Sequence, residues 1–147
     1  MFYVKFKKLM KDAIVPSYKH GTDAGMDFCC LVDDVSVRPG HRVLVSTGLA
    51  WEPDFRYKAK VYMKIEGKSG LAIKKGIAVL GGIIDEEYRG EIKIILINHG
   101  DREVIFRKGD AIAQGIVYEI PIVQIKEEKE ISIDTDRGEG GFGSTGE

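Results

Sequence analysis

At 147 residues, 44% of them apolar and with a formal net charge of -1, the chain is sized for one compact domain and lacks the basic excess that duplex binding requires. The only cysteines, Cys29 and Cys30, are neighbours. That placement excludes a structural disulfide framework, makes a poor pair of metal ligands on a strand, and predicts a reducing cytoplasmic setting (the host's, if the gene is viral). No stretch approaches the roughly 18 apolar residues of a membrane span, and MFYVKFKKLM has no signal-peptide core, so a protein with no membrane partner is expected.

FYVKFK (residues 2–7) is the first strand candidate. AGMDFCCL (24–31) is the second and sets a carboxylate, Asp27, in an otherwise apolar run. A turn at RPG (38–40) leads into HRVLVSTGLAWE (41–52). In YKAKVYMKIEG (57–67), Tyr57, Ala59, Val61, Met63 and Ile65 share one face, while Lys58, Lys60, Tyr62, Lys64 and Glu66 share the other. That is the pattern of a half-buried strand. SGLAIKK (69–75) is the one short helix candidate. EIKIILIN (91–98) is β-branched and almost continuous, which predicts a strand buried on both faces. Turns at NHGD and RKGD bracket EVIFR (103–107); AIAQGIVYEI (111–120) and ISID (131–134) follow, with EEKE (127–130) reading as solvated charge. Many short strands between glycine-containing turns predict an all-β, jelly-roll-like sandwich or barrel over residues 1–135. A flexible glycine-rich arm, residues 136–147, follows it.

Two nucleotide motifs fail on context. Gly138, Gly140 and Gly143 match GxGxxG, but too few residues follow to form the helix that motif opens. GKS at 67–69 resembles the end of a P-loop, but Tyr62 stands where its first glycine belongs.

Five other segments mix glycine with polar groups that strand packing does not need. They are AGMD (24–27), GKSGLA (67–72), GGIIDEEYRGE (81–91), GDAIAQG (109–115) and DRGEGGFGSTGE (136–147). Read from the residues alone, each has an ordinary alternative. Asp27 could cap a turn, Lys68 and Ser69 could be turn residues, Asp85 could be a turn Asp, and Tyr88 could be a sheet-surface aromatic. The tail could be a disordered terminus. In this order and spacing, however, the five resemble the motifs of the trimeric dUTPase family, from about residue 24 to residue 146.

That resemblance implies hydrolysis of dUTP to dUMP and pyrophosphate with Mg²⁺, limiting uracil incorporation into DNA and supplying dUMP for dTMP synthesis. It also implies a homotrimer with sites at subunit interfaces. Asp85 corresponds to the carboxylate that orients and deprotonates the water attacking the α-phosphorus, a task that suits a group able to accept a proton at neutral pH. Gln114 corresponds to the glutamine near the phosphates and that water. Lys68, Ser69 and Gly70 match the phosphate-contacting segment, with Lys68 where the family usually has Arg; a lysine keeps the charge but not the planar fork. Gly81, Gly82, Ile83 and Ile84 match the hairpin whose backbone reads the uracil edge. Tyr88 matches the tyrosine beneath the deoxyribose, and Glu86 and Glu87 are expected to be exposed bystanders. Asp27 is implied to order the water shell of Mg²⁺ without binding it directly, since Mg²⁺ keeps several waters and takes phosphate oxygens. In the arm, Arg137 is implied to clamp a phosphate and Phe142 to stack on uracil. Gly143, Ser144 and Thr145 are implied to hold the γ-phosphate, the usual arm coming from a neighbouring chain.

Two other activities are weighed against this. A dCTP deaminase of the same fold would place Glu and Arg where this chain has Ile95 and Ile73. A non-catalytic nucleotide-binding regulator is favoured only by Lys68.

Overall fold

A computed structural model describes residues 2–54, 56 and 59–140. Among them the chain forms eleven strands and one short helix, in the order β1 (Val4–Lys8), β2 (Met26–Cys29), β3 (Val35–Val37), β4 (Arg42–Ser46), β5 (Leu49–Pro53), β6 (Lys60–Glu66), α1 (Ser69–Lys75), β7 (Ile77–Leu80), β8 (Ile83–Asp85), β9 (Lys93–Asn98), β10 (Val104–Phe106) and β11 (Ala111–Ile120). All named pairings are antiparallel. The largest sheet runs β2-β11-β6-β8, a second runs β4-β9-β7, and β1-β5 and β10-β3 form two-stranded ribbons. The all-β expectation holds.

Alternation builds the interior. Val61, Met63 and Ile65 of β6 are buried, while Tyr62, Lys64 and Glu66 stand half-exposed on the opposite face. One contiguous core joins Phe28, Met63 and Ile65 from the large sheet to Val45, Ile77, Ile94 and Leu96 from the second. Burying side chains of this size contributes about 1.5–3 kcal/mol each. α1 has no buried residue; Gly76 closes it in the left-handed region, with its N–H bonded to Ala72 O, and Lys74 and Lys75 sit favourably in the last turn.

Several expectations change. The segment 41–52 is two strands, β4 and β5, divided at Thr47 and Gly48. β9 begins at Lys93 and is fully buried on one face only: Ile94, Leu96 and Asn98 point inward, whereas Ile95 and Ile97 are half-exposed. β3, β7 and β8, three or four residues each, are too short for periodicity to reveal. Residues 131–134 form no strand, and Ile131 and Ile133 are 82% and 65% exposed, because no described strand pairs with them. Tyr57 and Lys58, expected at the start of β6, lie outside the described residues.

Phe28 is completely buried and meets the Phe6 ring edge-on, with centroids 6.0 Å apart. Phe28→Ala is therefore expected to cost about 3–5 kcal/mol. Denaturant unfolding of both proteins at equal concentration measures it, and a loss below about 1 kcal/mol would contradict this packing.

Candidate active site

The loop between β6 and α1 is held from the large sheet. Asp27 on β2 faces Gln114 on β11, and Gln114 faces Glu66 on β6. Gln114 Nε2 donates to Gly67 O at 2.9 Å. The Lys68 ammonium makes no cap for α1; it turns back and donates to the Asp27 carboxylate. Gly25 leaves room for this arrangement, since a Cβ there would lie 2.6 Å from Gln114 Oε1. Here the structure brings together five of the residues expected from sequence: Asp27, Lys68, Ser69, Gly70 and Gln114.

In front of them lies a cavity of about 380 Å³, lined by Lys68, Ser69, Gly70, Lys74, Lys75 and Gln114 among others. No carboxylate lines it, and its three lysines make it locally positive in a chain of almost zero net charge. The Lys75 ammonium also lies over the Phe106 ring, 5.9 Å from its centroid. The chemistry this cavity suits is binding of a polyanion.

A second cavity, of about 670 Å³, opens beside the β7–β8 hairpin; Lys60, Tyr62, Ile83, Asp85, Glu86 and Tyr88 are in its wall. The hairpin turns through Gly81 and Gly82, at φ 68° and 92°. Gly82 O accepts from Ile65 N at 2.7 Å, and a Cβ on Gly82 would sit 2.5 Å from Ile65 O. Only glycine meets both demands. Ile83, exposed, and Asp85, exposed, project from β8, while Ile84 packs against the core. Tyr88 N donates to Asp85 O at 3.1 Å, and the Tyr88 hydroxyl donates to Glu91 O at 3.0 Å, so the ring is held across the turn that follows Asp85.

Glu87 is exposed as expected, but Glu86 is not a bystander. It is half-buried, and its Oε2 accepts from Val61 N at 3.1 Å, tying the turn to β6. The sequence also gave no reason to single out Tyr62. It is the register partner of Asp85 on β6 and stacks on Tyr118 of β11, centroids 5.4 Å apart and planes 18° from parallel. Its only trace in the sequence is an aromatic residue on the lysine-bearing face of β6.

Gln114 and Asp85 lie on the same face of the large sheet but are not brought together. They stand four residues apart along β6 and two strands apart across it. That is about 13 Å in one direction and about 10 Å in the other. Within one chain, both side chains cannot touch one water. Arg137 is exposed, its Nε donating to Gly140 O at 2.7 Å, and it lines neither cavity. Phe142, Gly143, Ser144 and Thr145 lie outside the described residues.

Among the described residues no group of three or more His, Cys, Asp or Glu side chains could hold a metal ion. The Asp27 carboxylate, beside the polyanion cavity, is bonded to Lys68. Cys29 and Cys30 are free thiols, one half-buried and one buried. No described helix is long and apolar enough to cross a membrane.

A model of the dUTPase family matches residues 11–146. The chain belongs to the dUTPase family. It is 50% identical over 142 residues to a deoxyuridine 5'-triphosphate nucleotidohydrolase of Hydrogenobaculum sp., the match covering 95% of each chain. It is 45% identical to the protein of the same name from Nautilia profundicola, covering 97% of this chain and 98% of that one. Among solved structures, the Staphylococcus bacteriophage 80alpha dUTPase with dUPNHPP superposes with a TM-score of 0.85 over 98% of both chains at 23% identity, a likeness of fold. The dUTPase of EIAV superposes with a TM-score of 0.67, at 26% identity over 89% of this chain and 100% of that one.

In this dUTPase-family chain, burial pushes both thiols above the ordinary cysteine range, and the negative charge of Asp27 raises Cys29 further. A raised pKa leaves less thiolate at neutral pH, so both cysteines should resist iodoacetamide at pH 7.5 and react only as the pH rises or the fold is lost. Labelling of the folded protein at the rate of a free thiol, followed by mass spectrometry, would contradict these surroundings.

Proposed function

We propose that the chain hydrolyses dUTP to dUMP and pyrophosphate. The observation that carries this reading is its 50% identity, over 95% of both chains, to a deoxyuridine 5'-triphosphate nucleotidohydrolase. The two cavities supply complementary parts of the chemistry. The β7–β8 hairpin offers backbone at Gly82, Ile83 and Ile84 for the uracil edge, with the exposed ring of Tyr88 beside it for the deoxyribose. The lysine-lined cavity suits the triphosphate, with Lys68 as a cation and Ser69 and Gly70 at the start of α1 as hydrogen-bond donors.

Asp85 acts as the general base. Its carboxylate takes a proton from a water whose oxygen attacks the α-phosphorus; the bond to the bridging oxygen breaks and pyrophosphate leaves. A base so placed contributes roughly 10²–10⁴-fold. Gln114 helps to orient the same water and the phosphates. Mg²⁺ fits as an ion carried by phosphate oxygens and water, since the described residues hold no ligand cluster for it. When bound it neutralises charge on the triphosphate. Arg137, Phe142, Gly143, Ser144 and Thr145 of the arm cover the bound nucleotide and exclude water.

The separation between Asp85 and Gln114 gives the reading its quaternary form. One water can be served by both only if the hairpin cavity of one copy faces the polyanion cavity of another, which supports a homotrimer with shared sites. Ile122, Val123, Ile125, Ile131 and Ile133, all more than 60% exposed beyond β11, are consistent with a segment that packs on a neighbouring copy. Ile95, half-buried on β9, and Ile73, exposed on α1, supply none of the Glu and Arg chemistry of a dCTP deaminase.

The test is pyrophosphate release from dUTP, with dCTP, dTTP and UTP as controls, for the parent and for Asp85→Asn. The parent should turn over dUTP far faster than the others. Asp85→Asn should lose roughly 10²–10⁴-fold in kcat while still binding nucleotide. Equal kcat/KM for dTTP and dUTP, or an unchanged kcat in the variant, would overturn the reading.

A further inference from the structure

Asp27 and Gln114 face each other across β2 and β11, and both grip the loop that precedes α1. Gln114 holds its backbone, through Nε2 to Gly67 O at 2.9 Å. Asp27 holds its side chain, by accepting from the Lys68 ammonium. Each anchor is itself fixed: Asp27 N donates to Ser17 O at 2.9 Å, and the carboxamide of Gln114 fills the space that Gly25 leaves open. The Asp27 and Lys68 side chains are 25% and 28% exposed, so the pair is largely withdrawn from water.

We propose that Asp27 is a positioning residue for Lys68, through which it acts on the triphosphate. With Gln114 it forms a two-point clamp that aims the ammonium at the triphosphate. The proposal rests on the reading that the lysine-lined cavity receives that triphosphate. An arginine at position 68 would bring its own planar, directional fork; a lysine is a point charge on a flexible stem and needs its direction supplied. Asp27 supplies it. An ammonium has three N–H donors, and the bond to Asp27 leaves two for phosphate oxygens. Lys74 and Lys75 already add charge to the same cavity, so what Asp27 contributes is geometry. A carboxylate facing the cavity directly would repel the anion, and pairing with Lys68 turns that charge aside.

A double-mutant cycle of Asp27→Asn, Lys68→Met and the combination, in the full-length protein, tests this. It is read as kcat and KM for dUTP and, separately, as pyrophosphate affinity by calorimetry. Each single variant should lose about tenfold in kcat/KM and in pyrophosphate affinity, and the double should fall within about threefold of Lys68→Met alone, as for a coupled pair. Lys68→Arg in the Asp27→Asn background should recover most of the loss, because the fork orients itself. If Asp27→Asn fails to fold, Asp27→Glu replaces it, with the same non-additivity expected. A double variant whose loss equals the product of the singles would overturn the proposal; so would an Asp27→Asn protein indistinguishable from the parent, or a parent that binds no pyrophosphate. A parent that binds pyrophosphate and shows the coupling, yet does not hydrolyse dUTP, would leave the clamp standing and remove the functional reading instead.

Discussion

β11 is hydrogen-bonded along its first half to β2 and from Gln114 to Ile120 to β6, and the candidate-site face of the large sheet takes its geometry from that double register. Because side chains alternate faces, a one-residue slip of β11 would send Gln114 and Tyr118 into the core and bring Ala113 and Val117 out. The register is well determined. Ile112 and Ala113 are fully buried where the pairing with β2 shifts between Ala111 and Ala113, and Gly115 lies against Phe28 and Met63, where a Cβ would be only 2.5 Å from the Phe28 ring. Core packing on one face therefore fixes chemistry on the other.

From this register two groups of side chains follow, one at each end of the sheet face. At one end are Asp27, Gln114 and Glu66 in facing positions, with the Gly67–Lys68 loop clamped above them. At the other are Tyr118, Tyr62 and Asp85, with the glycine hairpin alongside. Lys64 lies between and bonds Glu66, which raises its pKa and keeps that stretch of the face charged and paired. The polyanion cavity and the hairpin cavity share no lining residue. The two halves are fixed apart on one sheet, and on the proposed function a complete site takes its second half from another copy.

What the sequence made legible follows from length and locality. The alternation in β6 was readable because seven residues show a period of two, and SGLAIKK was readable as the one short segment that departs from strand patterning. The residues of the candidate site were readable because a carboxylate, a glutamine or a run of glycines is out of place in a strand. Their partners were not. Asp27 and Lys68 are 41 residues apart, and Glu86 bonds Val61 across 25, contacts that exist only once β2, β6, β8 and β11 are in register. Tyr62 gains meaning the same way, through its pairing with Asp85. Residues 131–134 misled in the opposite direction: their alternation describes a face that needs a partner, and no described strand of the same chain provides one.

The central claim is that the hairpin half of one copy works with the polyanion half of another. Subunit complementation tests it most directly. Asp85→Asn, defective in one half, and a Ser69→Ala, Gln114→Ala double variant, defective in the other, are each expected to be nearly inactive alone. Unfolded together and refolded as a mixture, they should regain dUTP hydrolysis, with about a quarter of the sites in randomly mixed equimolar assemblies built from two intact halves. A mixture no more active than the two proteins assayed separately would show that each chain completes its own site, and would contradict the account.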